Sequence, residues 1–441
     1  MTPPPACPNA KAMSETETER NHFLTYDAFE AYLDKLGLFN MDLSLDRITT
    51  VLDELELRRP PYAVAHVLGT NGKGSTSAFM SSLAQSTGLN TGLYTSPHFT
   101  TPRERVRING QMLDEEEWCD LANDIMEAGG DTLTYFEFLT VLAVLAFYDY
   151  EVDLAVMEAG LGGLYDATTA LATDVTVYTP IAFDHQQILG NRIEDIARDK
   201  AGAIRKGVPV VTNVQDEAAL AVLRDVAAQQ STTLHMAEEL ITMPENPRFG
   251  LMGPHQKDNA CLALGAFKLL VDKYGWSPPP IMDWDDVKEL GFADAWIAGR
   301  MQAVEAQADH PALILDGAHN GHAFVALKAS LKALDIRPAA IIFGCMKDKP
   351  LDDIIPQLLS LSTGPIFLPP IADNERAMPP EELKALVGDR ARVCVSLGEA
   401  LRLSKKAAAE KDAANEVVLL CGSLYLLGEF FTLRPKCLER D

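Results

Sequence analysis

The chain has 441 residues, 47% of them hydrophobic and 23% charged, with 38 basic against 63 acidic side chains and a net charge of −25. That length supplies two or three domains and more than one core, and the longest apolar runs, such as 141–148, are too short to cross a bilayer. The acidic balance opposes sequence-independent attraction to nucleic acid or to an anionic membrane, so an anionic ligand must be met by a few local cations.

Residues 1–22 are rich in Pro, Thr and Glu and lack both a basic start and a long apolar segment. They read as a disordered tail, and nothing in them directs the protein out of the cytoplasm. Seven cysteines (Cys7, Cys119, Cys261, Cys345, Cys394, Cys421 and Cys437) stand singly with no Cys-x-x-Cys pair, as reduced thiols do. Amphipathic helices are predicted over 26–37 and 43–57, the second stopped by Pro60-Pro61. Apolar strand-like runs at 63–68, 154–157, 175–179 and 208–212 then alternate with helical patterns at 75–86, 115–126, 136–148, 193–204 and 218–228. That alternation marks a parallel α/β sheet. A long helix is expected over 255–273, with Leu262, Ala266, Leu269 and Leu270 on one face. The stretch 277–299, containing Pro278-Pro279-Pro280, reads as a boundary. Beyond it the alternation restarts, with strands near 312–315, 340–343, 366–368, 392–395 and 417–420, so a second, smaller α/β domain is expected from 297.

Three places carry chemistry on residue pattern alone. The segment from His66 to Ser75 runs from an apolar strand through glycines into a helix, the architecture of a phosphate cradle. Lys73 would add a full charge there and Ser75 a hydroxyl for Mg²⁺. It departs from G-x-x-x-x-G-K-[ST], since Val67 replaces the first Gly and Gly74 separates Lys73 from Ser75. The plain alternative is a glycine turn with an exposed lysine. Glu158 ends a buried-strand run before Ala159-Gly160-Leu161-Gly162-Gly163, and Asp184-His185 follows another. Such positions lie on the edge where parallel sheets bind ligands, and Glu158 there can hold Mg²⁺, the plain alternative being an edge-exposed Glu before a glycine loop, whereas a lone histidine such as His185 is more often structural than a ligand. Lys200 falls within the apolar stripe Ile193, Ile196, Ala197, Ala201 and Ile204. Burial would favour its neutral amine, which can react with CO₂ to give a metal-binding carbamate; the alternative is a packed stem with its head in solvent.

These segments, with others, resemble a known family. Gly69-Thr70-Asn71-Gly72-Lys73-Gly74-Ser75, Tyr94-Thr95-Ser96-Pro97-His98, Arg103-Glu104-Arg105-Val106, Tyr135-Phe136-Glu137, Glu158 to Gly163, Asp184-His185, Asp199-Lys200-Ala201-Gly202, Gly253-Pro254-His255-Gln256 with Asn259, Gly299-Arg300, Asp316-Gly317-Ala318-His319-Asn320 and Gly422-Ser423-Leu424-Tyr425 occur in the order seen in folylpolyglutamate synthases and dihydrofolate synthases, relatives of the Mur ligases. The resemblance implies a P-loop parallel-sheet ATPase domain (23–296) followed by a Rossmann-like α/β domain (297–441). It implies a monomeric, ATP- and Mg²⁺-dependent ligase acting on folate or dihydropteroate and L-glutamate. Thr70, Asn71, Gly72, Lys73, Gly74 and Ser75 would hold the ATP phosphates, with Asn259, Arg300, Asp316 and His319 completing the nucleotide site. Ser75, Ser96, Glu158 and His185 would meet Mg²⁺ together with Lys200, the position that is carbamylated in relatives. Lys73, Lys200 and His185 are thus the candidates for the chemistry. Asn40, Met41, Asp42 and Leu43, with Thr134, Asp166 and Ala167, match pterin-contacting positions. Two segments depart from the family: Asp166-Ala167-Thr168-Thr169 ends in Thr instead of Asn, and Gly344-Cys345-Met346-Lys347-Asp348-Lys349-Pro350 ends in Pro instead of Asp. Rival readings are a Mur-type cell-wall peptide ligase and a nucleotide-binding regulatory protein without chemistry.

Overall fold

A computed structural model describes residues 23–37, 43–372, 374–410 and 417–440. The expected tail at 1–22 and the positions Asn40, Met41 and Asp42 lie outside them. The first sheet contains β1 (Ala63–Leu68), β2 (Thr91–Tyr94), β3 (Val106–Ile108), β4 (Gln111–Met112), β5 (Leu154–Glu158), β6 (Val175–Tyr178), β7 (Val210–Thr212) and β8 (Leu234–Met236), in the order β4-β3-β2-β5-β1-β6-β7-β8. Only the β2–β3 and β3–β4 pairs are antiparallel. All six residues of β1 are buried because helices cover both faces of the sheet. Val64, Ala155 and Met157 join a core with Phe138, Leu142 and Trp118, while Ala63, Ala65, Val67 and Val156 join a second with Phe79, Leu262 and Phe292. This is the two-residue period of strands with two covered faces.

The second sheet contains β9 (Gln302–Val304), β10 (Leu313–Asp316), β11 (Ala340–Phe343), β12 (Ile366–Leu368), β13 (Ala391–Val393) and β14 (Val418–Cys421), in the order β13-β12-β11-β14-β10-β9, with β9 alone antiparallel. It too has a core on each face. The two α/β units meet through Phe99, whose ring lies 4.7 Å from that of Phe431 and packs against the second unit's core.

The expected strands at 63–68, 340–343 and 366–368 form with those bounds, and the long helix spans Gln256–Tyr274 with Leu262, Ala266 and Leu270 buried. Two readings need correction. The second helix is only Asp46–Glu54, and Leu43 lies outside it, 67% exposed. The stretch read as a boundary holds a helix, Trp284–Asp294, capped by Asp283 and packed on helix Lys73–Ser86 through Gly291 against Leu83 and Phe292 against Phe79. Its buried residues are Val287, Gly291 and Phe292 while Leu290 is exposed, a short and broken apolar pattern that hid it behind the prolines. Phe79 is fully buried, with Phe249 and Phe292 at 5.7 and 6.0 Å between ring centroids. Phe79→Ala should therefore cost about 3–5 kcal/mol of stability, read as a lower denaturant midpoint for the transition of the first unit.

Candidate active site

The turn after β1 sits at a topological switch point: the connection from β1 leads to β2 on one side, that from β5 to β6 on the other, and the loops after these parallel strands open on one edge. Gly72 caps helix Lys73–Ser86 with φ 90°, a left-handed conformation that favours glycine, and a Cβ there would stand 2.6 Å from Asn259 Oδ1. That places the phosphate-loop turn directly against helix Gln256–Tyr274. The loop is also tied to the exit of β6: Thr70 N–H donates to Pro180 O at 3.0 Å, and its hydroxyl bonds Ala182 O at 3.1 Å and Ala182 N–H at 3.0 Å. Lys73 folds back to Thr70 O at 3.3 Å.

Glu158 is 4% exposed at the end of β5, and its Oε2 lies 3.5 Å from where a Cβ on Gly74 would stand. Burial raises its pKa, opposed by the charges of Lys73 and Arg300, by Ser96 N–H donating at 3.3 Å and by Arg105. The carboxylate is thus within electrostatic reach of the phosphate loop, the loop after β2 and the second unit at once. Arg105, which the sequence marked only as part of a segment, is 4% exposed, stacks near Tyr135 and Phe136, and donates from Nε to His98 Nδ1 at 2.9 Å. Burial and Arg105 push the His98 pKa down to about 3. Glu104 accepts the N–H groups of Phe99, Thr100 and Thr101 at 2.6–2.9 Å, fixing the same loop.

Lys200 is 4% exposed, so its head does not reach solvent; Nζ donates to Gly69 O at 2.9 Å, at the start of the phosphate loop. Burial, then the charge of Lys73, lowers its pKa from 10.5 to about 7 against the opposing pull of Asp199, Asp166 and Asp184. The helix carrying it is backed by the glycine loop, where a Cβ on Gly163 would meet Lys200 O at 2.4 Å. His185 has φ 49° and a side chain 42% exposed. Its pKa falls to about 4 through burial, against the pull of Asp184 and with Lys349, His319 and Lys73 adding to the fall. The Lys73 charge is therefore felt by Glu158, Lys200 and His185 alike.

The second unit supplies Arg300, Asp316, His319 and Asn320. Asp316 accepts Met301 N–H at 3.0 Å and Ala318 N–H at 2.9 Å, and His319 Nδ1 lies 2.8 Å from Gly317 O. Asn259 is buried and donates to Gln256 Oε1 at 2.9 Å. Of the pterin-position residues, Thr134 caps helix Tyr135–Asp149 through Glu137, which is ion-paired to Arg47 at 3.1 Å. Asp166 is 5% exposed, and its oxygens accept Gly160 and Leu161 N–H at 2.8 and 2.9 Å and the Thr168 hydroxyl at 2.5 Å. Thr168 in turn accepts from His66 Nε2 at 2.7 Å. Asp166 therefore shapes the glycine loop from within, and Ala167 beside it is buried in the core.

Comparisons with known proteins place this arrangement. The Mur ligase middle domain matches residues 67–267, and the Mur ligase glutamate ligase domain matches residues 299–424. The Bacillus subtilis dihydrofolate synthase/folylpolyglutamate synthase is 31% identical over 447 residues, covering 92% of this chain and 98% of its own. The Escherichia coli counterpart is 32% identical over 414 residues, covering 90% and 92%. Among solved structures, Mycobacterium tuberculosis folylpolyglutamate synthase complexed with ADP superposes with a TM-score of 0.82 at 27% identity, covering 94% of this chain and 98% of that one. The bifunctional Yersinia pestis enzyme complexed with AMPPNP and Mn ion gives 0.80 at 30% identity, covering 93% and 98%. A phosphate-loop domain facing a second α/β domain across these side chains is the fold of the Mur ligases. Within that superfamily the chain belongs to the folylpolyglutamate synthase family.

Two predictions follow from the site's geometry. Gly72→Ala forces a Cβ onto Asn259 in a left-handed turn and should weaken ATP binding at least about tenfold by calorimetry. For Lys200, the unfolded chain binds the extra proton between pH 7 and 10.5. Stability consequently rises with pH through that window, and the burial cost is fully felt below it. Lys200→Met should be more stable than the parent below pH 7 and lose that advantage towards pH 10.5. Denaturant titration in metal-free, CO₂-free buffer would measure this, and an advantage that does not vary with pH rules it out.

Proposed function

We propose that this protein is an ATP-dependent ligase that joins L-glutamate to a folate carboxylate, and that it also accepts dihydropteroate. The observation that carries the reading is geometric: Lys200 Nζ donates to Gly69 O at 2.9 Å and Glu158 Oε2 lies 3.5 Å from where a Cβ on Gly74 would stand, so two candidate metal groups lie against the phosphate loop. A buried carboxylate with a raised pKa and one long hydrogen bond is a fit donor for a cation. Glu158, with Ser75, Ser96, His185 and a carbamylated Lys200, would hold Mg²⁺, which polarises phosphoryl oxygens when bound. The neutral amine that CO₂ requires is the form that burial of Lys200 favours.

Carboxylate and amine do not condense unaided at neutral pH, because hydroxide is a poor leaving group. In the proposed sequence a folate carboxylate oxygen bonds to the γ-phosphorus of ATP as the bond to the ADP oxygen breaks. The glutamate amine then bonds to the acyl carbon, phosphate departs with the C–O electron pair, and the amine loses one proton. Phosphoryl transfer asks for charge stabilisation and alignment more than for covalent help. Thr70 to Ser75 cradle the phosphates, Lys73 and Arg300 offset the developing charge, and Asn259, Asp316 and His319 hold the nucleoside from the long helix and the second domain. Thr134, Asp166, Ala167 and Leu43 are the described candidates for the pterin side. The second domain, which we divide from the first at residue 297, keeps water from the acyl phosphate. No helix among the described residues is long and apolar enough to cross a membrane. By analogy with the family we read the protein as a cytoplasmic monomer.

Phosphate release should be measured with ATP, Mg²⁺ and glutamate, comparing reduced folate, dihydropteroate and no acceptor. Release above background in both acceptor tubes is expected; equal background in all three would overturn the ligase reading, and release with folate alone would remove the dihydropteroate activity. Glu158→Gln and Lys200→Ala should each lower turnover by about 100-fold or more while circular dichroism stays unchanged. Near-normal turnover in Lys200→Ala would eliminate the carbamate.

A further inference from the structure

Three side chains of the second domain meet a single carboxylate of the first. Asp184, 12% exposed, follows β6; Lys349 Nζ donates to its Oδ1 at 3.0 Å, Asn320 Nδ2 donates to its Oδ2 at 3.0 Å, and His319 Nε2 stands 3.7 Å from Oδ2. Asn320 also exchanges two hydrogen bonds with Asn71 of the phosphate loop, at 3.2 and 3.3 Å. Its Oδ1 caps helix Gly321–Ala333 by accepting Ala323 N–H at 2.9 Å, which fixes the orientation of the amide. Lys349, whose side chain is 10% exposed, comes from the loop after β11. That loop is braced by Lys347, whose N–H and Nζ donate to Arg376 O and Glu375 O at 2.9 Å. Loops leaving the carboxyl ends of β10 and β11 thus converge on a residue past the carboxyl end of β6.

We infer that Asp184, Asn320 and Lys349 form an interdomain clamp that sets the register of the second domain on the phosphate loop, with Lys349 as a positioning residue for the reaction. The kinetic part of this inference rests on the ligase reading. Asp184 is largely buried, so it must be matched by charge and hydrogen bonds. Asn320 supplies a hydrogen bond without net charge, while Lys349 supplies the countercharge with a stem that can pack. Removing the ammonium leaves a carboxylate that gains by returning to water, and that movement parts the two domains. The phosphate loop keeps Lys73 and its bonds to Pro180 and Ala182, so nucleotide contacts within the first domain survive while alignment across the cleft is lost.

Lys349→Met preserves the stem and deletes the charge; Lys349→Arg preserves both. Lys349→Met should lower kcat by about tenfold to a hundredfold with KM for ATP within about threefold, and Lys349→Arg should recover most of kcat. In small-angle scattering of the ligand-free proteins, Lys349→Met should be more extended than the parent and Lys349→Arg should match it. Near-normal kcat in Lys349→Met, a loss that Lys349→Arg does not relieve, or a Lys349→Met scattering curve superimposable on the parent's would each overturn the clamp. If the parent itself shows no acceptor-dependent turnover, the ligase reading fails and the scattering comparison alone decides the clamp.

Discussion

A carboxylate buried in a chain of net charge −25, that of Glu158, lies within electrostatic reach of cations from both α/β units. Glu158 sits at the end of β5, Lys73 belongs to the turn after β1, and Arg300 comes from the second unit. Taking that carboxylate out of water is costly, and the charges of Lys73 and Arg300 offset only part of that cost, since its pKa stays raised. The arrangement of the whole cleft follows from this. Glycine at position 74 brings the phosphate turn to the acid, the Ser96 N–H completes its partner set, and the approach of Arg300 requires the second unit to be docked. Local cations can thus attract a nucleotide to a surface that is repulsive to anions elsewhere.

Much of this was legible in the sequence, for identifiable reasons. β1, β5 and β6 are buried on both faces and therefore appear as continuous apolar runs, and the glycine-rich turn between β1 and helix Lys73–Ser86 punctuates them. The lysine at position 200 was readable as misplaced because it breaks an apolar stripe, yet whether its head reached water had to come from the packing of the glycine loop against its helix. β2, β8 and β9 were missed because three or four residues carry too short a pattern to distinguish strand from loop. Helix Trp284–Asp294 was missed because neighbouring prolines gave the stronger local signal.

Partnership was the least legible property. Asp184 and Lys349 are separated by 165 positions, and Asn71 and Asn320 by 249. Sequence marked the segments that contain Asp184 and Asn320, and marked the Lys349 segment only as a departure from a family pattern. Nothing in a local window says that three of these side chains close on one another. The same holds for Asp166, where pattern matching pointed to a ligand contact and the structure shows a side chain that organises the glycine loop through two backbone N–H groups.

Phe99 gives the architecture a mechanical property. Its ring is lodged beside Phe431, and its carbonyl lies 2.7 Å from where a Cβ on Gly428 would stand, so the first unit is anchored inside its neighbour at this point. A swing that keeps this anchor must pivot there, and a rigid body moves least at its pivot. Travel on opening is then concentrated at the parts of the second unit farthest from the anchor.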